Sequence, residues 1–167
     1  CENILITGNT VFHAHGGFVI GSEFSGGMKN IVVRGNTFSG TDTGLRFKSA
    51  IGRGGKTEKI FISDIFMTDI KGEAIIFETT YWDNHVGVVK SDAKPKKEDY
   101  APDFGDIHIS NVVCHGAKTG ISAHGAPGMI HDITIDNSTI FYTSQPKDID
   151  ACCDIKMNDV MLKSFEK

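Results

Sequence analysis

Asn3-Ile-Leu-Ile-Thr-Gly-Asn-Thr10 returns down this chain as Asn30-Ile-Val-Val-Arg-Gly-Asn-Thr37, Lys59-Ile-Phe-Ile-Ser-Asp-Ile-Phe66, Asp106-Ile-His-Ile-Ser-Asn-Val112, Asp132-Ile-Thr-Ile-Asp-Asn-Ser138 and Asp154-Ile-Lys-Met-Asn-Asp-Val160. The copies begin at residues 3, 30, 59, 106, 132 and 154, so they lie 27, 29, 47, 26 and 22 apart. Each opens on a polar residue, alternates apolar side chains, and turns at Asn, Asp or Gly, as a short strand followed by a turn does. No helix-period segment fills the intervals. Self-similarity at this period marks a solenoid, and strands without helices make it a parallel β-helix of about six coils, stacked about 4.8 Å apart.

Working outward, four intervals hold a second strand: Gly17-Phe-Val-Ile-Gly-Ser22, Gly44-Leu-Arg-Phe-Lys-Ser49, Ala74-Ile-Ile-Phe-Glu-Thr79 and Gly120-Ile-Ser-Ala-His-Gly125. Alternation sends Phe18, Leu45, Ile75 and Ile121 inward, together with Ile20, Phe47, Phe77 and Ala123. The residues between them face out: Val19, Arg46, Ile76 and Ser122 in one column, Gly21, Lys48, Glu78 and His124 in the next. The outer face therefore carries the chemistry.

The chain has 167 residues, one domain's worth, with 19 Gly, 4 Pro and a formal net charge of −4. That balance gives no electrostatic footprint for nucleic acid, and no run of 18 apolar residues suggests a membrane span. Cys1, Cys114, Cys152 and Cys153 show no metal-site spacing, and their disulfide state is open. The start at Cys1, within three residues of a repeat and without a cap, reads as a partial β-helix domain over 1–167 whose N-terminal coils are missing. The long fourth interval places an inserted loop at 81–105, and Tyr142 to Asp150 reads as a turn-rich connection.

Arg46 and Lys48, two apart on one strand, leave the same face about 7 Å apart. A planar fork beside a compact point charge suits a carboxylate. His15 precedes the strand of the neighbouring coil and reaches the same patch. Asp42 and Glu23 read as turn or edge groups, and Glu78 as a neighbour of Lys48 that pairs with it. The outward columns hold no acidic cluster of the kind a calcium-dependent lyase needs.

These segments resemble glycoside hydrolase family 28, the polygalacturonases and their relatives, in sequence and in order. The family's Gly-His-Gly, Ile-Gly-Ser-Glu, Gly-Gly and Arg-Ile-Lys motifs stand here as Ala14-His15-Gly16, Ile20-Gly21-Ser22-Glu23, Gly26-Gly27 and Arg46-Phe47-Lys48. The resemblance implies a right-handed parallel β-helix, without cofactor, that hydrolyses α-1,4-galacturonan with inversion. It implies that His15 sits beside the catalytic centre and orients acids and substrate. Arg46 and Lys48 would bind the galacturonate carboxylate, and Tyr81 would line the site. It further implies a pectic polysaccharide or oligogalacturonate as partner, a monomer when full length, and a secreted or periplasmic location. The family's acids, an Asn-x-Asp and an Asp-Asp pair, precede its His motif, and neither occurs between Cys1 and His15. This chain alone is accordingly expected to be inactive. Two alternatives stand beside this reading: a rhamnogalacturonan or xylogalacturonan hydrolase, and a non-catalytic β-helix for carbohydrate binding or adhesion.

Overall fold

In a computed structural model, which describes residues 1–80 and 100–165, the chain is a right-handed parallel β-helix. Its strands are β1 (Glu2–Thr7), β2 (Thr10–Phe12), β3 (Gly16–Ser22), β4 (Met28–Arg34), β5 (Thr37–Ser39), β6 (Thr43–Ser49), β7 (Thr57–Thr68), β8 (Glu73–Glu78), β9 (Ile107–His124), β10 (Ile133–Ile149) and β11 (Ile155–Ser164). The repeated phrases stack as parallel neighbours: β1 on β4, β4 on β7, β7 on β9, β9 on β10 and β10 on β11. The second set stacks β3 on β6, β6 on β8 and β8 on the end of β9.

Five of the six polar residues that open the repeat, all but Asp154, adopt the left-handed conformation. Asn3, Asn30, Lys59, Asp106 and Asp132 all have φ between 50° and 59°. Five residues later in each coil the left-handed conformation recurs at Gly8, Gly35, Asp64, Asn111, Asn137 and Asp159. Asn, Asp and Gly tolerate this region best, so the repeat's composition follows from its geometry. Side-chain amides then ladder along the axis: Asn30 Nδ2 donates to Asn3 Oδ1 at 2.7 Å and Asn137 Nδ2 to Asn111 Oδ1 at 2.7 Å.

Inside, the two expected ladders form in register, Phe18–Leu45–Ile75–Ile121 and Ile20–Phe47–Phe77–Ala123. Phe47 and Phe77 stack with centroids 4.4 Å apart and planes 7° from parallel. Phe104 meets both edge-on, at 6.0 and 6.5 Å, and itself stacks on Phe24 at 5.1 Å. Much of the stretch read as an inserted loop, residues 81–99, lies outside the described residues, and Tyr81 with it. Its C-terminal end is part of the coil, because Asp103 bridges to Lys56, Phe104 bridges to Ile130, and Phe104 is fully buried.

The expected turn-rich connection at Tyr142 to Asp150 is instead strand. β10 runs on to Ile149, pairing Gln145 with Thr119, Lys147 with Ile121 and Ile149 with Ala123. Pro146 is tolerated because this segment pairs on one side only, with β9, and an edge strand does not require every N–H.

Candidate active site

The site is built on the outer face of the second sheet. Register aligns Val19, Arg46, Ile76, Ser122 and Asp148 across successive coils, and Gly21, Lys48, Glu78 and His124 beside them. Gly21 has φ +105°, and a Cβ there would collide with the carbonyl oxygen of Lys48. Only glycine permits that approach, which seats β3 tightly against the strand carrying the two cations.

Arg46 is enclosed, at 9% exposure, whereas Lys48 is only half-buried and is the more accessible of the pair. The Arg46 guanidinium lies 2.9 Å from Nε2 of His15, and its second terminal nitrogen lies 3.9 Å from a Glu78 carboxylate oxygen. Glu78 is opposite Lys48 in register, as expected, and also closes diagonally on Arg46.

His15 lies on the loop between β2 and β3, and both its ring nitrogens are engaged. Nδ1 is 2.9 Å from Oδ2 of Asp42, and Nε2 faces Arg46. A guanidinium only donates hydrogen bonds, so this contact is a hydrogen bond when Nε2 accepts and the ring proton sits on Nδ1, facing Asp42. Asp42 in turn accepts from Lys71 Nζ at 3.0 Å through its other oxygen. The hydrogen bonds from His15 first and Lys71 second hold the Asp42 carboxyl below its ordinary value. The result is one chain of contacts over three coils: Lys71, Asp42, His15, Arg46, Glu78.

Of the candidate residues, His15, Arg46 and Lys48 therefore share one patch, and Tyr81 falls outside the described residues. Asp42, a turn group by its sequence setting, joins the site through His15, and Lys71, which no sequence motif marks, joins it through Asp42. Glu23 does sit just past β3 at the edge, 3.6 Å from Arg53. A signal for the two missed residues was present. Asp42 follows His15 by 27 residues and Lys71 follows Asp42 by 29, matching the first two repeat intervals. Farther along the face the sign of charge changes, with His124 held between Asp148 at 3.5 Å and Asp150 at 3.2 Å.

Chemically, the patch offers a buried guanidinium held in a fixed orientation, an ammonium beside it, and an imidazole without a spare nitrogen. Such a group can orient neighbours and ligands. A proton-transfer role would require it to leave one of its two partners.

Known proteins bear on this arrangement. The family model described as glycosyl hydrolases family 28 matches residues 1–158. A polygalacturonase of Ralstonia nicotianae is 32% identical over 125 residues, covering 72% of this chain and 21% of that protein. An exo-poly-alpha-D-galacturonosidase of Dickeya chrysanthemi is 29% identical over 111 residues, covering 66% of this chain and 18% of that protein. The crystal structure of a hyperthermoactive exopolygalacturonase from Thermotoga maritima superposes with a TM-score of 0.78 at 26% identity, covering 95% of this chain and 34% of that one. The chain thus spans about one fifth of the length of the curated relatives it matches. Because that family model matches residues 1–158 of its 167, the chain belongs to glycosyl hydrolases family 28.

Proposed function

We propose that this chain supplies the carboxylate-binding part of a pectin-degrading glycosidase of the polygalacturonase type, acting on α-1,4-galacturonan with inversion. The observation that carries the reading is the pairing of Arg46 and Lys48 on one outward face, with Arg46 held by His15 and Glu78. In this account Lys48 makes the leading contact with a galacturonate carboxylate at the cleaved position. Arg46 backs it with a fixed fork. His15 keeps that fork oriented rather than exchanging protons itself.

Inverting hydrolysis needs an acid to protonate the leaving oxygen and a carboxylate about 6.5–9.5 Å away to activate water. Both carboxylates are assigned to coils outside this chain, so residues 1–167 alone are inactive. The change from cationic to acidic along the face directs a polyanionic chain toward β3 and β6 and away from Asp148 and Asp150. A polymeric substrate places the enzyme outside the cytoplasm, secreted or periplasmic, and the complete protein acts as a monomer.

The test is hydrolysis of polygalacturonate by the complete reading frame, followed by proton NMR of the first-formed reducing ends. β-Anomer from the complete protein, with no turnover by residues 1–167, supports the reading. Retention of configuration, or turnover by the isolated chain, would overturn it.

A further inference from the structure

We propose that Asp42, steadied by Lys71, is a positioning residue that sets the tautomer of His15 and through it the orientation of Arg46. The kinetic part of this inference rests on the function proposed above, whereas the structural part does not. A neutral imidazole has one donor and one acceptor nitrogen. With the proton on Nδ1 it meets both neighbours correctly: a carboxylate oxygen of Asp42 at 2.9 Å and a donating guanidinium at 2.9 Å. The other tautomer, or the imidazolium, would aim an N–H at the N–H of Arg46. That donor-to-donor contact is repulsive, and Arg46 has little room to turn away, because only 11% of its side chain is exposed.

Asp42 can do this only if its carboxylate is itself held. Its Oδ2 accepts from His15 Nδ1 while Oδ1 accepts from Lys71 Nζ at 3.0 Å, so the carboxylate plane is fixed from both sides. Lys71, Asp42 and His15 come from three successive coils at the same angular position, and the coil lengths bring them together. The backbone beneath is tied as well: Thr43 Oγ1 donates to the His15 carbonyl at 3.2 Å, and the Asp42 amide donates to the Ala14 carbonyl at 2.9 Å. The loop carrying Asp42 and the loop carrying His15 are thus one unit, and the side-chain contact is its working end.

The test is a long-range proton–nitrogen correlation spectrum of the histidine rings of the complete protein at neutral pH, with His15 assigned by its loss in His15→Gln. Wild type is expected to show His15 as the Nδ1–H form. Asp42→Ala should move the tautomer ratio at least severalfold toward Nε2–H, and Lys71→Met should move it less, in the same direction. Asp42 is about half exposed, so its removal leaves the core untouched, and wild-type unfolding of the variant verifies this. A ratio within twofold of wild type in Asp42→Ala would overturn the inference. In the complete enzyme, Asp42→Ala should lower kcat on polygalacturonate about tenfold or more while KM changes less, and Asp42→Glu should restore part of the loss. An altered tautomer with unaltered kcat would overturn the positioning role. If the complete wild-type protein does not cleave polygalacturonate, the proposed function fails and the spectrum alone decides the tautomer assignment.

Discussion

Phe47→Ala is the substitution by which the packing account is most exposed. Phe47 is fully buried, stacked on Phe77 at 4.4 Å, and in edge contact with Phe104 at 6.0 Å and Phe18 at 6.4 Å. Truncation to alanine removes about 100 Å² of buried apolar surface, which at about 25 cal/mol per Å² is about 2.5 kcal/mol. The unfilled space and the lost ring stacking add about 1–2 kcal/mol, because stacked coils cannot collapse freely onto a missing ring. We therefore expect a loss of about 4 kcal/mol, read from urea unfolding by far-ultraviolet circular dichroism with an unchanged slope. Phe12→Ala is the control: Phe12 is 64% exposed and should cost less than about 0.5 kcal/mol. Since Phe47 stands between Arg46 and Lys48, its loss should also loosen the outer patch. A cost below about 1 kcal/mol, or one equal to that of Phe12→Ala, would refute the ladder as the source of stability.

Two further outcomes follow from the cysteines and from a histidine away from the site. Cys114 is buried and its thiol is pushed up to about 12 by desolvation, and Cys153 to about 11, first by desolvation and then by Cys152, whereas Cys1 and Cys152 are exposed. In native protein, iodoacetamide followed by mass mapping should label Cys1 and Cys152 rapidly and spare Cys114; equal labelling of all four would contradict the burial. His131 lies 2.8 Å from Asp132 and 2.8 Å from Asp103, and these carboxylates, Asp132 first, raise its pKa above the ordinary 6.5 despite opposing desolvation. A raised folded value means that its stabilisation is complete below 6.5 and is lost as pH rises through the folded pKa. The difference in unfolding free energy between wild type and His131→Gln should shrink between pH 6 and pH 8.5, and a constant difference would contradict the assignment.

Much of the architecture was readable because the repeat encodes both its strands and its turns. The Asn, Asp and Gly residues that punctuate each copy are the ones able to hold positive φ, so composition and backbone geometry carry the same information. The alternation of Phe18, Ile20, Leu45 and Phe47 likewise settles which side chains face inward, which left Arg46 and Lys48 outside. Tyr142 to Ile149 misled because Gln145, Pro146 and Lys147 are polar or helix- and sheet-breaking in isolation. Their pairing with β9 is a long-range fact that no local propensity contains. Asp42 and Lys71 were missed for a related reason. Each is unremarkable in its own loop, and only the coil period brings them beside His15. Phe104 belongs to the core for the same reason, because the chain re-enters the coil at Asp103 rather than at Asp106.

The central claim, that this face recognises uronate carboxylates, is tested most directly by Lys48→Ala in the complete enzyme, with kcat/KM measured on free-acid and on fully methyl-esterified galacturonan oligomers. A hydrogen bond to a charged group contributes about 1.5–3 kcal/mol, so the free-acid substrate should lose roughly 10- to 150-fold while the ester changes little. Equal losses on the two substrates, or none on the free acid, would contradict a carboxylate-binding role for Lys48.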